Sequence, residues 1–496
     1  MLYRSTRDNN ISVTSSKAIA TGISAEGGLY LPRSLPRLDS ARIKELAGID
    51  YQGRALDILT DFLNDFDRQA LAESITAAYG SGFASEKVTP ITKLCPGAYM
   101  LELWHGPTCA FKDLALQLLP HLITLAAGKE AGGKTVNILV ATSGDTGKAA
   151  LEGFKDIPGT NILVFYPRDG VSRVQELQMT TQQGGNVSVC GVRGNFDDTQ
   201  AALKRIFRDP DIKARLDAKN AVFSSANSIN WGRLAPQIVY YVSAYCELIN
   251  AGELTPGEKL NIAVPTGNFG NILAAYYAKK MGLPIGKLIC ASNRNNVLAD
   301  FIGTGVYDKR REFFATSSPS MDILVSSNLE RLLHLLTGED DSAVSGFMSA
   351  LEREGVYNLP AQVHSALRSE FYGGFCDDNE TSATIKSIFQ NFSYLCDPHT
   401  AVALKVWGDY REEAGDTTKT LIASTASPYK FAGSVLAALT GQASKDDEFA
   451  QLRKLADFTG TLPPAQITQL ESLPVRFEQT CDKDEMERVV LESLGL

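Results

Sequence analysis

From about residue 93 the chain alternates short apolar runs with turns rich in Gly, Ser, Thr and Asn, each leading into a longer amphipathic stretch. The pattern predicts strand, turn and helix in repetition. Tyr99–Trp104 leads through a turn into the helix Leu114–Ala127, and Val136–Thr142 into Lys148–Phe154. Asn161–Tyr166 is followed by Ser172–Gln183, and Asn186–Val192 by 195–207. Ala221–Ser225 leads into Trp231–Ile249, and Leu260–Pro265 into Ile272–Met281, with Lys287–Ser292 continuing the series. Such alternation implies α/β architecture, with parallel sheets covered by helices on both faces.

The ends of the chain read differently. Residues 1–92 form an opening unit, with a turn and short strand at Gly27–Pro32 and helices around Arg54–Phe66 and Arg68–Ala78. Between about 305 and 395 the pattern is more helical and charged, with Leu329–Leu336 and Ser342–Arg353 as amphipathic segments. A strand returns at Thr418–Thr425 before the helix Lys430–Leu439, and 441–496 reads as a charged helical region. The expected organisation is therefore an N-terminal domain over 1–92, a core of two α/β subdomains over 93–440 and a C-terminal appendage over 441–496.

Lys plus Arg is 48 and Asp plus Glu is 57, giving a net charge of −9 without a basic block. Nucleic acid and anionic membranes are disfavoured as partners. The eight cysteines are scattered without C-x-x-C spacing, the usage of a reducing, cytoplasmic compartment. The five histidines form no metal pattern. No run approaches the ~18 apolar residues of a membrane span, and Asp8 with the lack of an apolar core argues against a processed leader.

In parallel sheets, ligands gather where strands end and helices begin. Four loops of small polar residues fall at such corners: 142–147, 227–230, 266–271 and 425–427. The glycines of Gly267–Asn271 let backbone N–H groups approach an anion at a helix start, and the hydroxyls of Thr142–Gly147 suit a carboxylate. Arg233 follows the 227–230 loop closely enough to be a fixed cation for an anion; pairing with a surface carboxylate is the competing reading. Lys112 sits at the first strand-to-helix corner, where the helix dipole and partial burial both lower a lysine's pKa. A partly neutral lysine can form a Schiff base and shuttle protons; an ordinary surface lysine at a helix start is the alternative. Gly128–Thr135 satisfies G-x-x-x-x-G-K-T, but it follows a helix and opens a strand, the reverse of a working nucleotide loop. His105 and His399 read as structural, and Asp113 as support for the helix N-terminus.

The stretches HGPTCAFKD, SGDTG, NSINWGR, GNFGN and STASPYKF, in this order, resemble threonine synthase, a pyridoxal-phosphate enzyme of the tryptophan synthase beta-subunit-like fold (fold type II). With MLYRSTRD, GGLYLP, MDILVSSNLERLL and DPHTAVALKV the resemblance covers nearly the whole chain and matches the longer class of that family. It implies that Lys112 holds pyridoxal 5'-phosphate through a Schiff base. Gly267, Asn268, Phe269, Gly270 and Asn271 would cradle the cofactor phosphate, and Thr425 would hydrogen-bond the pyridine nitrogen. Thr142, Ser143, Asp145 and Thr146 would bind the substrate carboxylate, and Asn227, Ser228 and Arg233 the phosphate of O-phospho-L-homoserine. The implied products are L-threonine and phosphate, the last step of threonine biosynthesis, by a lyase acting as monomer or homodimer. Ser427 stands where many members have His, and Cys109 where another apolar residue is common; both bear on fine specificity. A phospho-lyase giving 2-oxobutyrate and a catalytically silent ligand-binding relative are the rival readings.

Overall fold

All six residues of the strand Leu260–Pro265 are buried, as expected of a strand covered on both faces. It lies inside a six-stranded sheet ordered Phe371–Phe375, Ile285–Ser292, Leu260–Pro265, Thr420–Ser424, Ala98–Glu102 and Ile91–Cys95. All neighbours run parallel except the last pair, where Ile91–Cys95 returns antiparallel at the edge. A second, five-stranded sheet is parallel throughout, in the order Thr480–Asp482, Val187–Arg193, Thr160–Pro167, Thr135–Ala141 and Ala221–Ser224. This is a computed structural model, which describes every residue except Ser143, Asp169 and Asn195, and of Phe196 and Asp197 the backbone alone.

The helix expected over Leu114–Ala127 is divided into Asp113–Leu116 and Leu119–Glu130. Pro120 accounts for the break: it has no N–H to continue a helix and is favoured in the first turn of a new one. The helix Trp231–Asn250 is buried along most of its length, its first turn capped by Asn230, which accepts from the Gly232 N–H at 2.9 Å.

Several strands lie outside the expected series, two of them at sheet edges. Phe371–Phe375 edges the larger sheet, and a Cβ on its Gly373 would lie 3.0 Å from Ala299 Cα, so the strand packs close to the helix Val297–Thr304. Within the C-terminal region, Thr480–Asp482 adds an edge strand to the smaller sheet among the expected helices. At the other end of the chain, Tyr3–Ser5 pairs antiparallel with Tyr30–Pro32, and the Tyr3 hydroxyl donates to Phe62 O at 2.8 Å.

The Gly128–Thr135 stretch closes the helix Leu119–Glu130 and opens the strand Thr135–Ala141. Its lysine, Lys134, pairs with Asp217 at 2.8 Å. The element order is thus the reverse of a nucleotide-binding loop. Among the described residues no helix is long and apolar enough to cross a membrane.

Candidate active site

The corner that carries Lys112 is pinned on both sides. Phe111 N–H donates to Thr425 O at 2.8 Å, and Ala110 bridges Ala426. This ties the corner to the turn after the strand Thr420–Ser424. Cys109 takes a left-handed φ of 58°, unusual for a residue with a side chain, and its carbonyl accepts from Ser427 N–H at 3.0 Å. Cys109 and Ser427 therefore touch through their backbones. Ser427 Oγ faces Tyr429 N–H at the start of the turn Pro428–Phe431.

Asp113 is fully buried and bends back to accept from Thr108 N–H at 2.8 Å and Thr108 Oγ at 2.6 Å. It braces the loop before Lys112 rather than the helix after it. Burial raises its carboxyl to about 6, even though the bonds from Thr108 favour the ionised form.

Lys112 Nζ donates to Ser320 Oγ at 3.1 Å, lies 3.5 Å from Asp145 Oδ2 and sits 5.0 Å above the Phe111 ring. Burial lowers its pKa; Lys430 and Arg233 push the same way, while Asp145 opposes them. Asp145 is itself a shared counter-ion, because Lys430 Nζ lies 2.7 Å from its other oxygen. Lys430 is buried and also donates to Thr108 O at 2.9 Å. Burial disfavours the charge on Asp145, but the two lysines outweigh it and hold the carboxyl far below the usual range.

Across the cavity, Phe269 adopts a left-handed φ of 64° and opens the helix Gly270–Met281. The carbonyls just before it are occupied: Gly267 O accepts from Ser326 Oγ at 2.7 Å, and Asn268 O from Asn328 N–H at 3.1 Å. The first N–H groups of a helix have no intrahelical acceptor and are open to an anion. A Cβ on Gly267 would come within 2.7 Å of Ser320 O, so only glycine lets the loop pass. Asn271 Oδ1 accepts from the Tyr241 hydroxyl, while its buried Nδ2 has no partner.

Arg233 is the second cation facing the cavity and is 5% exposed. Nη1 donates to Ala226 O at 3.0 Å, Nε has no partner, and among the described residues no carboxylate pairs with it. Burial alone lowers its pKa to about 10. Ser228 lines the same cavity; Asn227 is exposed beside it and accepts from Ser228 Oγ at 3.3 Å.

The remaining expected residues divide. Thr425 and Thr146 line the cavity with Lys112 and Asp145. Thr142 Oγ accepts from Gly144 and Gly147 N–H, at 3.0 Å each, and so shapes the turn from below. Ser143 lies outside the described residues.

Several lining residues were missing from the expected set, among them Ser320, Gln237 and His399. Ser320 lies within the stretch SSPSMDILVSSN, whose polar residues carry no spacing signal of their own. Gln237 sits one turn beyond Arg233 and donates to its carbonyl at 2.8 Å. His399 has the satisfied partners of a structural histidine, with Asp397 2.6 Å from Nδ1 and Ser320 N–H donating to Nε2 at 3.2 Å. It also faces the cavity.

Lys112, Lys430 and Arg233 thus outnumber the one firmly ionised carboxylate, Asp145. The orphaned donors of Asn271 and Arg233, with the open helix start, fit phosphate groups, and Lys112 fits an aldehyde. The residues present therefore fit pyridoxal phosphate together with a second anion.

Three family models match the chain: "Threonine synthase N terminus" over residues 2–79, "Pyridoxal-phosphate dependent enzyme" over 86–425, and "Threonine synthase, C-terminal" over 400–490. Human "Threonine synthase-like 1" is 41% identical over 466 residues, covering 92% of this chain; the chain spans only 62% of that relative's length. Threonine synthase of Pseudomonas aeruginosa is 38% identical over 443 residues, 89% of this chain and 91% of that protein. Among solved structures, PLP-bound threonine synthase from Brucella melitensis superposes with a TM-score of 0.89 at 37% identity, covering 99% of each chain.

Proposed function

The chain belongs to the threonine synthase family of pyridoxal-phosphate-dependent enzymes, and we propose that it converts O-phospho-L-homoserine and water into L-threonine and phosphate. The observation that carries the substrate choice is Arg233: a buried guanidinium with no partner for Nε and no carboxylate among the described residues, lining the same cavity as a separate anion-binding loop. One loop suffices for a cofactor phosphate; the second cation calls for a phosphate on the substrate.

When bound, pyridoxal phosphate supplies an aldehyde that joins to a primary amine and a ring that takes up the charge left when a carbon loses its proton. Lys112 Nζ would hold it and, once freed, would take protons from Cα and Cβ of the substrate. Its lowered pKa favours the neutral form that this needs, and a positioned base of that kind contributes about 10²–10⁴-fold. Asp145, held ionised, and Ser320 Oγ keep Nζ on the cavity side.

The N–H groups of Gly267–Asn271 and the free Nδ2 of Asn271 would hold the cofactor phosphate, and Thr425, which lines the same cavity, would offer its hydroxyl to the ring nitrogen. At the start of the helix Asp145–Phe154, the N–H groups and Thr146 receive the substrate carboxylate, with Thr142 fixing the turn. The Asp145 side chain is committed to the two lysines, so it serves this group through its backbone. Ser228, Asn227 and Arg233 hold the substrate phosphate, each charge-assisted bond contributing about 1.5–3 kcal/mol. After phosphate leaves Cγ, water adds at Cβ.

The test combines purified protein, pyridoxal phosphate and O-phospho-L-homoserine, and quantifies phosphate, threonine and 2-oxobutyrate together, with Lys112→Ala as control. Equal threonine and phosphate, abolished in the control, is the expected result. Phosphate with 2-oxobutyrate would transfer the site to a phospho-lyase. Bound cofactor without turnover would make the chain a silent relative.

A further inference from the structure

The loops 227–230 and 267–271 arise from different strand-to-helix corners, and the side chain of Asn328 reaches both. Asn328 is fully buried at the head of the helix Leu329–Leu336. Its Nδ2 donates to Ser228 O at 3.2 Å and to Asn268 O at 3.1 Å, while its backbone N–H gives Asn268 O a further bond at 3.1 Å.

The orientation of this amide is fixed by chemistry. Arg331 Nη1 faces the other end of the Asn328 side chain, and a guanidinium can only donate, so that end is Oδ1 and the two carbonyls face Nδ2. Arg331 is itself anchored, donating to Ile229 O at 2.6 Å and to Tyr30 O at 2.8 Å. The clamp therefore grips the 227–230 loop twice, through Ser228 and Ile229, and the glycine loop at Asn268. By contrast, Ser326 grips the glycine loop alone, through Gly267 O.

We propose that Asn328 is a positioning residue that sets the spacing between the loop for the cofactor phosphate and the loop for the substrate phosphate, so that the two anion sites are built or lost together. This rests on the assignment of those two loops given above. Asn328 contacts neither anion; it acts through the carbonyls whose placement aims the N–H groups and hydroxyl of each loop. Its one amide nitrogen is shared, so a change that weakens one grip weakens the other.

The comparison is between Asn328→Asp, which keeps the size but turns an acceptor toward both carbonyls, and Ser326→Ala. Two constants are read: the dissociation constant of pyridoxal phosphate by equilibrium dialysis, and that of inorganic phosphate for the cofactor-saturated enzyme by calorimetry. Asn328→Asp is expected to raise both by about tenfold, and to raise KM for O-phospho-L-homoserine in step with the phosphate constant while kcat falls less. Ser326→Ala is expected to raise the cofactor constant alone. If Asn328→Asp does not fold, Asn328→Ser takes its place, with the same pair of constants. The proposal is overturned if the Asn328 variant moves only one constant, or if Ser326→Ala moves both. A wild-type protein that binds both ligands but does not turn over O-phospho-L-homoserine would remove the assigned reaction, while the two constants would still decide the role of Asn328.

Discussion

Arg233→Gln is expected to move stability and substrate binding in opposite directions. In the fold without a phosphate, burial lowers the arginine from 12.5 to about 10, a penalty on its charge of about 3 kcal/mol. The group is charged in both folded and unfolded chains below pH 10, so the full penalty applies at pH 7. Glutamine removes it and gives up the bond from the charged guanidinium to Ala226 O, about 1.5–3 kcal/mol. The net expectation is a variant more stable by about 1 kcal/mol in the absence of phosphate.

Phosphate reverses the order. At one hundred times its dissociation constant it stabilises a binding-competent protein by about 2.7 kcal/mol, and the variant should forgo this. The assay is thermal or chemical denaturation of cofactor-saturated wild type and variant, with and without inorganic phosphate, beside steady-state kinetics. Loss of two charge-assisted bonds to the substrate phosphate predicts a fall in kcat/KM of about two orders of magnitude or more. A variant that melts below wild type without phosphate and still gains the wild-type increment with it would refute the reasoning, and Arg233 would be a structural arginine.

Three further outcomes follow from the site. The Asp113 carboxyl stands at about 6 in the fold against a free value of 3.8, so the folded chain binds more protons in that window and stability falls as pH rises through it, by about 3 kcal/mol in all. Asp113→Asn should flatten that slope in denaturation curves taken from pH 4 to 7; an unchanged slope would acquit the residue. Gly267→Ala drives a Cβ to 2.7 Å from Ser320 O and should cost about 1–3 kcal/mol, read as weaker retention of pyridoxal phosphate on dialysis, and wild-type retention would show that the loop yields freely. Lys430→Met leaves Asp145 buried with Lys112 as its remaining ion-pair partner and should destabilise by about 3–5 kcal/mol at pH 7. Asp145 is depressed, so its paired stability is lost as pH falls, and the deficit of the variant should narrow in acid; a deficit constant with pH would contradict the pairing.

What could be read from the sequence was local in origin. Leu260–Pro265 and Thr160–Pro167 are apolar runs bounded by turn residues, and a strand needs nothing more to be recognised. Lys112 and the glycine loop stood out because each lies at a strand-to-helix corner, but on the residues alone each kept an ordinary alternative, and the family resemblance supplied their roles. Phe371–Phe375 escaped because two of its five residues are glycines, Gly373 packed close to the helix Val297–Thr304 and Gly374 to Val406 of the helix Pro398–Ala414, and so contribute no side-chain alternation. The groups that tune Lys112 were hidden for another reason. Ser320 stands 208 residues from it, and Lys430 lies 322 residues from the carbonyl it holds at Thr108. No local pattern encodes such meetings. His399 shows the same limit, since its bonds to Asp397 and Ser320 are those of a structural histidine and only the folded arrangement turns the ring toward the cavity.

The strand Thr480–Asp482 gives the smaller sheet an order of assembly. Its partner, Val187–Arg193, is made nearly three hundred residues earlier during synthesis. Until the last strand emerges, that partner presents an open row of backbone donors and acceptors, the kind of surface that pairs with other chains. The Lys112 corner, the glycine loop and the Arg233 helix are all complete in sequence by then. A nascent chain can therefore hold nearly every residue of its site while one flank of its scaffold is still unsealed, and the last strand acts as the closing stitch of biosynthesis.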